Sequence, residues 1–332
     1  MSTDLLAREA CALCHTSRLE ILIPRSVLPE QVHVLRCRDC GLVFLESRAG
    51  KDELDAEEDK YWDDGKQQQI YFQDDVQATF RKEFERRLDT LERHVGQPGH
   101  LLDVGCGVGH FLDTARRRGW TVTGLDISAS ASRAAQQAYS IHVEVGTLEQ
   151  CHVTPGSYDA VTLWDVIEHI RRPVENVRAA NRLLRPGGVL VMKTPNESGL
   201  FKQAALTLYR LFGRPAGFLL KYVYYVPHYF SYSPQTTAAL LAQAGFEAIT
   251  YEFDETPQDF AVAKIQAHYG FDPKRALVIA LLPVARVLAR LVRRTNKLVV
   301  YARKVREAGP GEAAAVPAIG KAPSRREPSA CW

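Results

Sequence analysis

The sequence predicts an α/β protein, an open and mostly parallel sheet with helices on both faces, behind a small cysteine-bearing module. Three observations carry this. An apolar run, His100-Leu101-Leu102-Asp103-Val104, ends in Gly105-Cys106-Gly107-Val108-Gly109 and passes into the helix-forming His110-Phe111-Leu112. Short strand-like runs then alternate with amphipathic helical stretches as far as Lys304. Ahead of them stand two C-x-x-C pairs, Cys11/Cys14 and Cys37/Cys40, with 22 residues between them.

The glycine stretch reads as a buried strand, a tight turn and the start of a helix. Glycines there permit positive φ and let a ligand approach the backbone, and the helix offers unpaired N–H groups and a positive dipole end. Dinucleotide-binding proteins use a similar triplet, and a plain βα turn needs no ligand. The neighbours discriminate. Asp103 makes the spacing D-x-G-x-G-x-G, and its carboxylate would repel a pyrophosphate but suit an ammonium group. The second strand, Thr121 to Asp126, ends in an acid able to accept both ribose hydroxyls.

This pairing resembles the class I S-adenosyl-L-methionine (SAM)-dependent methyltransferases, whose first-strand motif is close to V-L-D-V-G-C-G-x-G. The resemblance runs from Gly99 to Lys304. It implies a Rossmann-like seven-stranded methyltransferase sheet, SAM as cofactor and methyl transfer as the activity. Asp103, Gly105, Cys106, Gly107 and Gly109 would hold the methionine end, and Asp126, followed by Ile127, the ribose. Relatives often carry an acid for the adenine amino group where this chain has Gly146-Thr147-Leu148, which leaves that contact to backbone or to the Thr147 hydroxyl, with Leu148 beside it.

Composition sets outer bounds. The 332 residues suit one large domain or two smaller ones, and 46% apolar with 24% charged content is ordinary for a globular protein. A net charge of +3 is too small to argue for nucleic acid, so none is expected as partner. Met1 to Glu9 lacks the basic start and apolar core of a signal peptide. Seven cysteines without an export signal read as metal binding, not as a disulfide framework, in a cytoplasmic setting.

Residues 1–50 are read as a four-cysteine zinc ribbon or knuckle. Two close thiolate pairs can supply the tetrahedral site of a structural Zn²⁺, with no position left open for catalysis; His15 is a bystander. A redox dithiol and four unmetallated cysteines are the competing readings. Many class I methyltransferases acting on sugars or small metabolites resemble this layout. Residues 51–97 form a charged linker and then an amphipathic helix from Asp75 to Val95, with Val76, Phe80, Phe84, Leu88 and Leu91 on one face. In similar methyltransferases the segment before the first strand covers the cofactor, which the resemblance implies here for Tyr61 or Tyr71; packing is the alternative fate of these aromatics.

The catalytic domain is placed at 98–304. Ser128 caps a helix through Tyr139, a third strand lies near Ile141 to Val145, and a fourth spans Ser157 to Trp164. Leu163, Trp164 and Asp165 fall at its C-terminal end, where ligands sit in open α/β sheets. Asp165-Val166-Ile167-Glu168-His169 resembles the family's V-L-E-H segment, and His169 is read as an orienting residue more than a base. A fifth strand follows Arg185-Pro186-Gly187-Gly188. Residues 199–230 form an aromatic lid insertion, ending in Pro227-His228-Tyr229-Phe230, where the His228 imidazole could take a proton from a hydroxyl acceptor.

Residues 276–294 form an apolar helix studded with Arg286, Arg290, Arg293 and Arg294. It is too short in uncharged residues to span a bilayer; it either packs in the protein or makes a peripheral membrane contact. Leu298 to Ala302 is expected to insert antiparallel between the fifth and sixth strands, as the resemblance implies. Residues 305–332 read as a disordered tail. The favoured activity is O-methylation of a sugar, a glycolipid or another hydroxylated small molecule. The alternative is a non-catalytic adapter, its zinc module binding a protein or nucleic acid beside a vestigial Rossmann domain.

Overall fold

A computed structural model describes residues 9–28, 32–46, 71–151, 154–224, 228–256 and 273–308. The charged linker with Tyr61, Pro227, and the tail from 309 lie outside these residues.

Seven strands form the main sheet: β4 (His100–Val104), β5 (Thr121–Asp126), β6 (Val143–Val145), β7 (Tyr158–Trp164), β8 (Leu184–Pro195), β10 (Phe246–Asp254) and β11 (Lys297–Lys304). Their order is β10-β11-β8-β7-β4-β5-β6. Five strands run parallel, while β11 is antiparallel to both β8 and β10. The chain reverses direction across the sheet at β4 and β7, so loops after these two strands open onto one crevice. β4 and β7 are apolar because the sheet is covered on both faces: Leu101, Leu102, Ala160 and Val161 are all buried.

Four helices pack on the parallel part, α1 (Asp74–Val95), α2 (His110–Arg117), α3 (Ala129–Tyr139) and α4 (Pro173–Leu183). The helix start read at Ser128 is confirmed by its side chain, which accepts the Ala131 N–H. α1 is fixed by Arg87, whose fully buried guanidinium pairs with Glu252 and Asp254 of β10. A buried cation of this kind is tolerated because both carboxylates come with it. Three further helices are α5 (Leu200–Phe212), α6 (Pro234–Gln243) and α7 (Pro273–Leu291).

The cysteine module does not stand apart. Its strands β1 (Leu19–Ile23), β2 (Val34–Cys37) and β3 (Val43–Leu45) make an antiparallel meander completed by β9 (Phe230–Ser231), which belongs to the catalytic half of the chain. Leu45 N–H donates to the Tyr229 carbonyl at 2.9 Å, and Gln243 Nε2 donates to the Leu13 carbonyl at 3.0 Å. Leu13, Leu35, Leu42 and Phe44 share one core with Val104, Leu163 and Tyr232. The stretch from Gly199 onward packs on the module too: Ala205, Leu206, Leu220 and Tyr224 meet Ile23, Val34 and Val43.

Candidate functional site

The glycine loop follows β4 as the sequence suggests. Gly105, Gly107 and Gly109 all have positive φ (67°, 51° and 84°), and a Cβ on Gly105 would lie 2.5 Å from Val166 Cγ2. Asp126 braces the loop: its carboxylate accepts the Gly107 N–H at 2.7 Å and the Ser128 N–H at 2.9 Å. One side chain thereby ties the turn to the cap of α3 while standing at the end of β5. Asp103 is buried and accepts the Thr162 hydroxyl at 2.6 Å. Burial drives its carboxyl well above the usual range, and the nearby Asp126 charge adds to this.

The other residues expected on the cofactor side take these places. Cys106 packs in the core with Leu101 and Phe111, and its thiol lies 3.8 Å from the Gly107 carbonyl. Ile127 is half-buried after Asp126, Leu148 is buried and Thr147 half-buried, its hydroxyl 3.3 Å from Gln150 Oε1. Leu163 joins the core, while Trp164 packs edge-on to Phe111 with ring centroids 4.9 Å apart. The buried Trp164 indole N–H has no partner among the described residues. Above α2, Tyr71 stacks on Phe80 (5.6 Å), and its carbonyl lies 2.9 Å from His110 Nε2.

Beyond β7 the chain takes a positive-φ residue, Asp165 (57°), and a single 3-10 turn, Ile167–His169. Asp165 pairs with Lys297 and, at 3.4 Å, with Lys193, which also holds Glu83 of α1 at 2.6 Å. Burial opposes the Asp165 charge, but the two lysines outweigh it and hold the carboxyl well below its usual range. Lys193 is the counterpart: burial opposes its charge, yet Asp165 and Glu83 push the ammonium up.

The same turn brings His169 against His228, ring centroids 4.9 Å apart and edge to face. A carboxylate oxygen of Glu168 and one nitrogen of each ring lie within 4.8 Å of one another. Glu168 is fully buried and neither of its oxygens has a hydrogen-bond partner among the described residues. Burial, and then the charge on Asp165, raise its pKa to about 8. The buried hydroxyls of Thr194 and Tyr232 are likewise unpartnered there. Such a group of orphaned polar atoms is what an absent water, ion or polar ligand would satisfy. One carboxyl and two imidazoles can move a proton, and they are also donors a divalent cation could use.

Sequence reasoning placed His169 and His228 separately; only the fold joins them. It missed Glu168, Lys193 and Lys297. Lys193 was legible as a lone charge in the apolar run Val189 to Met192, but Lys297 meets Asp165 only because β11 folds back beside β8.

The four cysteines converge as their spacing suggests. Cys11 and Cys40 Sγ are 3.4 Å apart, as are Cys14 and Cys37, and all four lie within 4.8 Å of one another. A tetrahedral tetrathiolate zinc site has sulfurs about 3.8 Å apart, so this donor set fits Zn²⁺. None of the four is in a disulfide. Its hydrogen bond with Cys40 lowers the Cys11 thiol to about 5, while burial pushes Cys14 up to about 12.

Sheet order, the glycine loop and the acid that ends β5 together define the fold of a class I SAM-dependent methyltransferase. A family model described as a methyltransferase domain matches residues 72–251, and the chain belongs to that family. It is similar to ubiquinone biosynthesis O-methyltransferases of Chromobacterium violaceum (35% identical over 120 residues, 34% of this chain and 51% of that protein) and Xanthomonas campestris pv. campestris (32% over 155 residues, 44% and 61%). The chain thus spans about half to three fifths of the length of these relatives. Among solved structures it resembles magnesium protoporphyrin IX methyltransferase from Synechocystis PCC 6803 with bound SAH (16% identity, TM-score 0.49, 76% of this chain and 97% of that one). It also resembles a SAM-dependent methyltransferase from Archaeoglobus fulgidus (18%, 0.43, 68% and 94%).

Proposed function

We propose that this chain transfers the methyl group of SAM to a hydroxyl of a sugar, a glycolipid or another small hydroxylated metabolite. The observation that carries this is the His169–His228 pair over buried Glu168, at the crevice end of β7 and across from the glycine loop. The sulfonium methyl is already activated, so displacement needs orientation and, for a hydroxyl, removal of a proton. His228 is the base and His169 its neighbour, receiving or orienting the proton. The relatives named as O-methyltransferases support an oxygen acceptor.

On the cofactor side, Asp126 takes the ribose hydroxyls, the loop from Gly105 to Gly109 with Asp103 takes the methionine end, and Thr147 and Leu148 border the adenine. Leu163, Trp164 and Asp165 wall the methyl-bearing centre. Cys11, Cys14, Cys37 and Cys40 hold one structural Zn²⁺; four protein ligands close its coordination, so it takes no part in the transfer.

The test is methyl transfer from isotopically labelled SAM to a panel of hydroxylated acceptors, sugars and glycolipids included. Transfer to oxygen that is lost in His228→Ala supports the reading. Transfer to nitrogen or carbon with His228→Ala fully active would remove it.

A further inference from the structure

Helix α7 exposes much of its apolar surface. At the helical step of about 100° per residue, Val287, Leu291, Val284, Leu288 and Leu281 fill one arc of roughly 120°. Each of these five is between 49% and 75% exposed. The far side of the helix is seated in the protein through Val278 and Ala289. The orientation is fixed away from the arc, where Arg286 and Arg290 pair with Glu255 at 2.9 and 3.3 Å. The neighbouring α5 adds exposed Leu208, Leu211 and Phe212 at its C-terminal end. A monomeric soluble protein rarely leaves apolar side chains of this size grouped in water without a use for them.

Charge says what the use is. Between Gly199 and Tyr224, and again between Pro273 and Arg294, there is no Asp or Glu, against ten Lys and Arg. Outside these two segments acids outnumber bases, since the whole chain is only +3. Arg210, Arg214, Arg293 and Arg294 are exposed. With Arg286 and Arg290 paired to Glu255, an apolar helix face bordered by these four exposed arginines, with no carboxylate in its own segment, is complementary to an anionic lipid surface: acyl chains take the leucines and valines, and headgroups pair with the guanidinium groups. A second copy of the chain would bring like charges together with no acid in either segment to offset them. No helix among the described residues is long and apolar enough to cross a membrane, so the contact is peripheral.

We infer that α7, with the end of α5, docks this protein on an anionic lipid surface. Position gives the contact a purpose. After α7 the chain passes Arg294, whose carbonyl accepts the Leu200 N–H at 2.6 Å, and Asn296, whose carbonyl accepts the Asn196 N–H at 2.9 Å. The next residue, Lys297, pairs with Asp165 at the crevice. A docked α7 therefore holds the acceptor side of the crevice close to the lipid. The consequence, an acceptor presented from a lipid surface, rests on the methyltransferase reading; the docking itself does not.

The experiment is co-sedimentation of the full chain with vesicles, without cofactor or acceptor, so that its failure cannot be confused with a failure of the methyl-transfer reading. Vesicles of phosphatidylcholine mixed with phosphatidylglycerol should bind the protein, and pure phosphatidylcholine should bind it far less. The double variant Leu288→Glu/Leu291→Glu should lose at least about tenfold in partitioning. Arg210→Gln/Arg293→Gln should lose roughly thirtyfold at low salt, with the loss shrinking as salt screens the headgroups. Unchanged SAM titration in both variants shows that the fold is intact. Absence of binding to the anionic vesicles by the parent, or equal binding by parent and variants, overturns the inference. So does a dimer in sedimentation velocity that Leu288→Glu/Leu291→Glu dissociates when the parent ignores vesicles; the patch is then a contact between copies.

Discussion

Replacing Asp126 with alanine is the sharpest test of the cofactor site. Its carboxylate accepts two bonds from the protein itself, from Gly107 N–H at 2.7 Å and Ser128 N–H at 2.9 Å. Those exist before SAM arrives, so their loss appears as lower stability and a looser turn. The proposed ribose bonds would form only in the complex, so their loss would appear in affinity. Hydrogen bonds to a charged group contribute about 1.5–3 kcal/mol each; two of them amount to about 3–6 kcal/mol, or roughly 10²- to 10⁴-fold in Kd. Calorimetric titration of SAM reads the affinity, and a thermal melt reads the loop. Asp126→Asn should fall between, because its amide keeps one acceptor oxygen but turns an NH₂ toward one of the two backbone N–H groups. A folded Asp126→Ala protein that binds SAM within about threefold of the parent would refute the placement of the ribose.

Four further outcomes follow from the same geometry. His228→Ala should cut turnover by about 10² or more with SAM affinity nearly unchanged; turnover within a few fold of the parent counts against a base at this position. The Glu168 carboxyl titrates near 8 in the folded chain against 4.5 in the open one, so the folded state keeps a proton that the unfolded state gives up. Its stability contribution is full below about pH 4.5 and is lost as pH climbs through 8, and Glu168→Gln should gain thermal stability over the parent progressively across that window; parallel pH–Tm curves would argue otherwise. Elemental analysis should find one zinc per chain in the parent and none in Cys37→Ala, which should reduce turnover more than SAM affinity, since β9 beside His228 pairs with the module while the glycine loop does not; an equal fall in both would make the module part of the cofactor side. Gly105→Ala should weaken SAM binding through strain, because positive φ and the 2.5 Å approach to Val166 leave a Cβ no space; normal binding would show that the loop yields.

What the sequence determined by itself was local. The alternation of strand and helix, the glycine turn with Asp103, the acid ending β5 and the two cysteine pairs are each written within a few consecutive residues. Their physics is short-range: apolar periodicity, permitted φ, and ligand spacing. Even the order of β11 between β8 and β10 was available, though through family resemblance and not from its residues. Tertiary structure decided what depends on distant segments meeting. Glu168 reads as one more acid in Asp165-Val166-Ile167-Glu168-His169 until burial strips its solvent and raises its pKa. Lys297 pairs with Asp165 although 132 residues separate them. The cysteine module reads as a separate unit, yet β3 lacks a partner on one edge until β9 supplies it. An edge strand's unpaired N–H and C=O groups say only that they need a partner, and no local pattern names which one.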